Sequence, residues 1–335
     1  MRKELFAPFI LTVLIIIGSC ARKERKTDTI VPEISIELTG AEKSDGVMTP
    51  EILWKFARMG SLILSPDGRT VLYTLTQYDL ATEASLTNIW SVSVDGGEPV
   101  QITRQGASSP QFFSGGGRVA FAKEGKLWSM NPDGTNAREI TGLDNFESFN
   151  ISPTGDRIWF TRRVKIDQTA NEKHDLPKAN VRIINDLMYR HWDSWHDYSY
   201  SHLFVASFDG VTVSGEKDLM EGQRFESPTA PYFDAAEIAW SPDGKKIAFT
   251  SKQLTGREYA VSTNSDIFLI DLGSDIVINI TEGNMGYDKY PVFSPDGSKI
   301  AWISQEEEGY ESDLERIFIY DIATGGREHV SGGWD

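Results

Sequence analysis

The chain predicts an all-β fold, a β-propeller of four-stranded blades, and three observations carry that prediction. First, the phrase Ser-Pro-Asp-Gly stands complete at Ser65-Pro66-Asp67-Gly68, Ser241-Pro242-Asp243-Gly244 and Ser294-Pro295-Asp296-Gly297. It recurs in worn form at Ser152-Pro153-Thr154-Gly155 and Ser114-Gly115-Gly116-Gly117. Pro fixes φ at the first corner of a tight turn, Asp caps it with its side chain, and Gly accepts the positive φ that other residues resist. Each phrase therefore reads as a hairpin tip. Second, the flanks recur: a short apolar run precedes the tip, as in Glu237-Ile238-Ala239-Trp240, and an alternating run follows it, as in Lys246-Ile247-Ala248-Phe249-Thr250. Third, each cycle continues through a strand ending in Asp95, Asp271 or Asp321 and closes on a Thr or Ser at Thr103, Thr141, Thr281 or Ser331. Four strands per unit, repeated every ~40–50 residues, is the signature of propeller blades.

Composition sets limits on function. The 335 residues are 40% hydrophobic, enough for a packed core. A formal charge of −16 argues against a nucleic-acid partner, whose phosphates it would repel. Cys20 is the single cysteine, so neither an intrachain disulfide nor a thiolate metal site can form. Nothing in the sequence calls for a cofactor.

Taken in order, residues 1–20 read as a targeting segment, with a basic start at Arg2-Lys3 and an apolar run from Phe6 to Ile17. That run is too short for a membrane-spanning helix and suits a signal peptide. Its end, Ile17-Gly18-Ser19-Cys20, resembles a bacterial lipobox, which makes Cys20 the lipidated residue. Ala21 after it, rather than Asp, points by analogy to the periplasmic side of the outer membrane. Residues 21–46 are polar and charged and read as a tether of little fixed structure. A short helix is expected next, with Thr49 as cap, Pro50 at its first position, and Ile52, Leu53, Phe56 and Met59 on one side.

The partial propeller is expected over 47–335. The first blade spans about 60–104, the second about 108–141, and the third starts at Phe149. An insertion over about 162–201 breaks the pattern; within it Arg182 to Met188 could be helical, and strand texture resumes at His202. Long insertions in repeat folds tend to gather on the binding face. A further irregular run lies at Phe225 to Glu237. Counting the tips, with another blade hidden near Leu203–Ser214, gives roughly five or six blades. The last residues stand at the threshold of a further blade, so the ring is expected to be incomplete.

Three stretches narrow the family. They are Met48-Thr49-Pro50-Glu51, then Tyr189-Arg190-His191-Trp192-Asp193-Ser194-Trp195 with Ser201-His202-Leu203-Phe204-Val205 after it, and Gly309-Tyr310-Glu311-Ser312-Asp313. Over about Val47 to Asp335 the chain resembles the N-terminal propeller of the prolyl oligopeptidase family of serine peptidases, in its bacterial dipeptidyl-peptidase and acylaminoacyl-peptidase types. The resemblance implies a propeller that covers an α/β-hydrolase domain and admits peptides to its Ser-Asp-His triad. It implies release of dipeptides or acylated residues from peptide N-termini. No Gly-x-Ser-x-Gly elbow occurs in the chain, and His174, His191, His196, His202 and His329 have no elbow serine to pair with. By itself the chain is expected not to hydrolyse peptides and to hold no catalytic residues.

The resemblance also implies an acidic group for the substrate's free amine, a task suited to a carboxylate in a dry cavity. Glu237 and Glu311 are the candidates, with solvated surface charge as the competing reading. Trp192 and Trp195 could wall a pocket or merely anchor a loop, whereas Trp240, directly before a tip, favours core packing. His191, His196 and His202 with Asp193 and Asp197 invite a metal reading, but their spacing matches no ligand frame. The expected partners are peptide substrates and, through Cys20, a membrane. A second reading is a stand-alone TolB-like propeller that binds a protein or glycan in the cell envelope.

Overall fold

The computed structural model describes residues 38–334, and the strands fall into five four-stranded antiparallel sheets. The first blade is β1 (Arg58–Leu64), β2 (Thr70–Asp79), β3 (Ala84–Ser93) and β4 (Val100–Gln101). The second is β5 (Ser108–Phe112), β6 (Val119–Lys123), β7 (Lys126–Met130) and β8 (Arg138–Asp144). The third begins with β9 (Ser148–Ile151) and β10 (Arg157–Lys165). It then passes through an insertion bearing a small hairpin of β11 (Arg190–His191) and β12 (Ser194–Trp195), and resumes with β13 (Ser199–Phe208) and β14 (Val213–Asp218). The fourth is β15 (Ile238–Trp240), β16 (Lys246–Ser251), β17 (Asp266–Asp271) and β18 (Ile276–Asn279). The fifth is β19 (Asp288–Phe293), β20 (Lys299–Ser304), β21 (Arg316–Asp321) and β22 (Arg327–His329).

Strand alternation explains how blades stack. On β10, Ile158 and Phe160 point to a core shared with the second blade, while Trp159 between them points to a core shared with the fourth. On β16, Ile247 and Phe249 face the third blade and Ala248 faces the fifth. Side chains also stitch neighbouring inner strands together. Gln111 on β5 accepts from the Ile151 amide at 2.9 Å and donates to the Ile151 carbonyl at 3.1 Å. Trp240 Nε1 donates to the Asn150 carbonyl at 3.2 Å, and its ring is buried, so this residue is core.

Four of the tips start on the expected serine, whereas in the second blade the turn expected at Ser114–Gly117 sits one residue earlier, with the Gly116 amide donating to the Phe113 carbonyl at 2.7 Å. In the first, the Ser65 hydroxyl donates to Asp67 at 2.6 Å and accepts from the Thr70 amide at 2.9 Å, while the Gly68 amide donates to the Ser65 carbonyl. Ser241 with Asp243 and Ser294 with Asp296 repeat the 2.6 Å bond. From the second blade onward the glycine also leans on the preceding tip: a Cβ on Gly244, where φ is +66°, would stand 2.6 Å from Thr154 Oγ1, and one on Gly297 would stand 3.4 Å from Pro242. The closing Thr or Ser has a physical task as well. The hydroxyls of Thr103, Thr281 and Ser331 accept the Ile89, Ile267 and Ile317 amides at 2.8–3.0 Å, tying each closing residue to the third strand of its own blade in the first, fourth and fifth blades.

Several expectations change. The sixth blade expected near Leu203–Ser214 is instead the outer half of the third, because β10 and β13 pair from Arg157↔Ser207 to Lys165↔Ser199. The insertion interrupts a hairpin; it does not separate two blades. Arg182 to Met188 forms no helix, since Ile183, Ile184 and Leu187 stay exposed and no core organises that stretch. Part of the expected tether is ordered as helix α1 (Gly40–Asp45), held by a capping box between Thr39 and Glu42 and by a 2.9 Å ion pair from Glu42 to Lys55. Helix α2 (Pro50–Lys55) follows, with the Thr49 hydroxyl accepting from the Ile52 amide. Only Ile52 of its expected apolar side is buried, because the helix ends before Phe56 and Met59 lies in β1. The signal segment and Cys20 lie outside the described residues, and among the described residues no helix is long and apolar enough to cross a membrane.

Candidate functional site

In each antiparallel blade the first-to-second and third-to-fourth turns share one end, and the second-to-third turn and the crossing to the next blade share the other. The Ser-Pro-Asp-Gly tips occupy the first face. The insertion and the run from Leu219 to Asp234 therefore emerge together on the second face. Beneath the insertion is a cavity of about 780 Å³, within the range of small-ligand sites. Arg163 of β10, Trp192 and Trp195 of the insertion, Glu226 and Phe233 of the crossing run, and Tyr259 of helix α4 (Gly256–Val261) all lie on its wall.

Ion pairs tie the insertion down at both ends. At its start, Arg224 holds Asp167 with a shortest contact of 2.7 Å, and Lys165 pairs with Glu172 at the capping box of helix α3 (Ala170–Lys173). At its end, one arm of Arg163 donates to Asp197 and to the Ser199 carbonyl, both at 2.7 Å. The other arm reaches Glu226 at 3.0 Å. Burial pushes the Glu226 carboxyl up to about 7, against the pull of that guanidinium. Burial also raises the Tyr200 and Tyr259 phenols and lowers the His196 imidazole. Beside Tyr259, Lys252 stands 4.5 Å over the ring and donates to the Ser262 carbonyl at 2.6 Å. Burial, followed by the charge of Lys289, lowers the Lys252 ammonium to about 8.

Trp192 and Trp195 both stand on the cavity wall. Trp192 is 68% exposed and meets His191 and Tyr232 edge-on, at 4.8 and 6.0 Å between centroids. Glu237 is 2% exposed, so it is not a solvated surface charge; its oxygens accept the Thr229 amide at 2.6 Å and hydroxyl at 2.9 Å, with Lys289 3.8 Å away. It lies off the cavity wall. Glu311 is exposed in the connection of the fifth blade on the same face, and its charge is felt by Lys252 and Tyr287. His202 is buried between Asp218 at 2.8 Å and the Gln223 carbonyl at 3.0 Å, whereas His191 and His196 line the cavity. Among the described residues no group of three or more His, Cys, Asp or Glu side chains could hold a metal ion.

Glu226, Arg163 and Lys252 are not singled out by the sequence. Glu226 falls in the irregular run Phe225 to Glu237, where the signal is a loss of pattern with no motif to mark one residue. Only the fold brings it against an arginine of a strand 63 residues away.

No protein-family model matches the chain. Among curated proteins, dipeptidyl-peptidase 5 of Porphyromonas gingivalis is 42% identical over 297 residues, covering 86% of this chain and 43% of the relative. Dipeptidyl-peptidase 5 of Porphyromonas endodontalis is 39% identical over 289 residues, covering 84% of this chain and 42% of the relative. The chain thus spans less than half the length of these curated relatives. Among solved structures, the acylaminoacyl peptidase of Pyrococcus horikoshii superposes with a TM-score of 0.60 at 17% identity, over 84% of this chain and 41% of that one. That likeness concerns the fold.

Proposed function

We propose that this chain, a β-propeller of the prolyl oligopeptidase family of serine peptidases, filters peptides for a catalytic domain and holds their free N-termini in the cavity beneath its insertion. The acyl-enzyme chemistry of such peptidases uses an activated serine. The propeller's part is to bind, orient and exclude.

The observation that carries the reading is Glu226. It is a largely buried carboxyl, its side chain 12% exposed, on the wall of a cavity of ligand size, pushed up to about 7, with Arg163 fixing one oxygen. An entering ammonium supplies the opposite charge that burial removes, so the carboxylate and the ligand's amine stabilise each other. Trp192 and Trp195 supply apolar wall for the first side chains. Glu237, with its oxygens engaged by Thr229, braces the crossing run, and Glu311 contributes negative potential to the same face.

Calorimetric titration of the chain with a free-amine dipeptide and its N-acetylated counterpart tests the reading. The free amine is expected to bind more tightly, and Glu226→Gln to weaken it about tenfold while leaving the acetylated peptide unchanged. Equal binding of the two peptides to the unaltered chain sinks the assignment. The lipobox-like ending at Cys20 supports a lipid anchor on the periplasmic side; labelling with radioactive palmitate, lost in Cys20→Ser, tests that separately.

A further inference from the structure

The cavity carries a second electrostatic feature opposite in sign to the first. Arg182 and Arg190 both lie on its wall, and both guanidiniums are drawn to one ring, with Arg182 at 4.8 Å and Arg190 at 5.4 Å from the Trp195 centroid. Arg190 faces Trp195 directly across the small hairpin, and its Nε donates to the Trp192 carbonyl at 2.9 Å. A guanidinium held over an indole by cation–π attraction keeps N–H donors available, and such donors can grip a carboxylate with charge-assisted bonds.

The surrounding carboxylates are engaged elsewhere. Asp167 is held by Arg224, Glu226 by Arg163, Asp186 by the Leu187 amide and Asp193 by the Ser194 hydroxyl. Among the described residues neither Arg182 nor Arg190 forms an ion pair. Two like charges held against one indole repel each other, and a bound anion lowers that cost. In a chain of net charge −16 this is a local cationic wall, and it lies in the same cavity as Glu226.

We infer that Arg182 and Arg190 form a carboxylate-binding subsite, so that the cavity selects peptides carrying a negative charge a short distance from the free amine. The inference rests on the peptide-binding reading above and adds the chemistry of the second contact. Two sources supply such a group: the C-terminus of a very short peptide, or an acidic side chain in a longer one.

Three probes separate these sources: Ala-Ala-Ala as the free acid, Ala-Ala-Ala amide, and Ala-Asp-Ala amide. Each is titrated into the chain at low salt, with binding read by calorimetry and by Trp fluorescence. One or both carboxylate-bearing probes are expected to bind about tenfold to hundredfold more tightly than the plain amide, from charge-assisted bonds to a guanidinium. A gain for the free acid assigns the C-terminus, and a gain for the Asp probe assigns the side chain. Arg182→Ala and Arg190→Ala are expected to erase the gain. Arg182→Lys, which keeps the charge but not the planar fork, is expected to retain part of it. If all three probes bind equally, the carboxylate subsite is overturned while the peptide-binding reading stands. If none binds at millimolar concentration, both fall.

Discussion

The two faces of this propeller obey different rules. On the tip face, five short turns share one hydrogen-bonded design, and from the second blade onward each turn's glycine presses on the turn before it. A change there is felt by the neighbouring blade. On the opposite face the connections range from the two-residue turn at Glu124-Gly125 to the insertion between β10 and β13. That insertion is held by a few ion pairs at its ends and leaves Leu176, Ile183 and Ile184 exposed. Packing constrains the first face, and the second is free to carry chemistry.

The largest expected contrast comes from one residue type at two places. Leu203→Ala empties a site on β13 that is completely buried between the third and fourth blades, and is expected to cost about 2–5 kcal/mol in urea unfolding. Leu176→Ala, on the exposed insertion, is expected to change stability by no more than about 0.5 kcal/mol. A large cost at Leu176 would mean that the insertion belongs to the folding core.

A smaller contrast uses two glycines of similar φ. Gly222, at +74°, lies on the cavity face with nothing near its would-be Cβ, whereas Gly244, at +66°, lies on the tip face against Thr154. Gly222→Ala is expected to cost about 1 kcal/mol from backbone strain alone, and Gly244→Ala about twice that. Equal costs would show that contact between tips contributes nothing. Ser294→Ala removes a hydroxyl bonded to both Asp296 and the Lys299 amide, with an expected loss of about 1 kcal/mol.

The last contrast is one of pH, and in it the two faces differ in sign. The Asp296 carboxyl on the tip face is held down at about 2 by the Ser294 hydroxyl and then the Ser298 amide. Its contribution is present above the usual carboxylate range and is lost as pH falls toward 2. Glu226 is raised to about 7, so its burial costs nothing while it is protonated in both folded and unfolded chains, and weakens folding as pH rises from about 4.5 to 7. Glu226→Gln is expected to remove that decline, gaining up to about 2 kcal/mol over the parent at pH 8 and nothing at pH 4. Parallel stability curves for parent and variant across this range would refute the raised carboxyl.

The tip face was legible in the sequence because its physics is local. Pro66 sets the turn's φ, Asp67 and Gly68 each make a bond within three residues, and the Ser65 hydroxyl takes the Thr70 amide five residues on. The closing residues Thr103, Thr281 and Ser331 were equally visible, although only the structure shows their hydroxyls bonding back to the third strand of the same blade. The third blade was misread because its middle hairpin is split by the insertion, and strand pairing across such a gap leaves no local trace. The cavity was only half legible. Trp192 and Trp195 stood out by type, whereas Glu226 and Arg163 acquire meaning only through each other.

The alternation along β10 and β16 has one more consequence. Each of the four main apolar clusters among the described residues straddles a pair of successive blades: first with second, second with third, third with fourth, and fourth with fifth. Stability is then a property of seams, and no blade owns its interior. The second, third and fourth blades each take part in two of these seams, as in a chain of nearest-neighbour couplings. Amide protons on the central strands of the third blade, which β10 packs into seams on both sides, are expected to exchange more slowly than those of its exposed insertion.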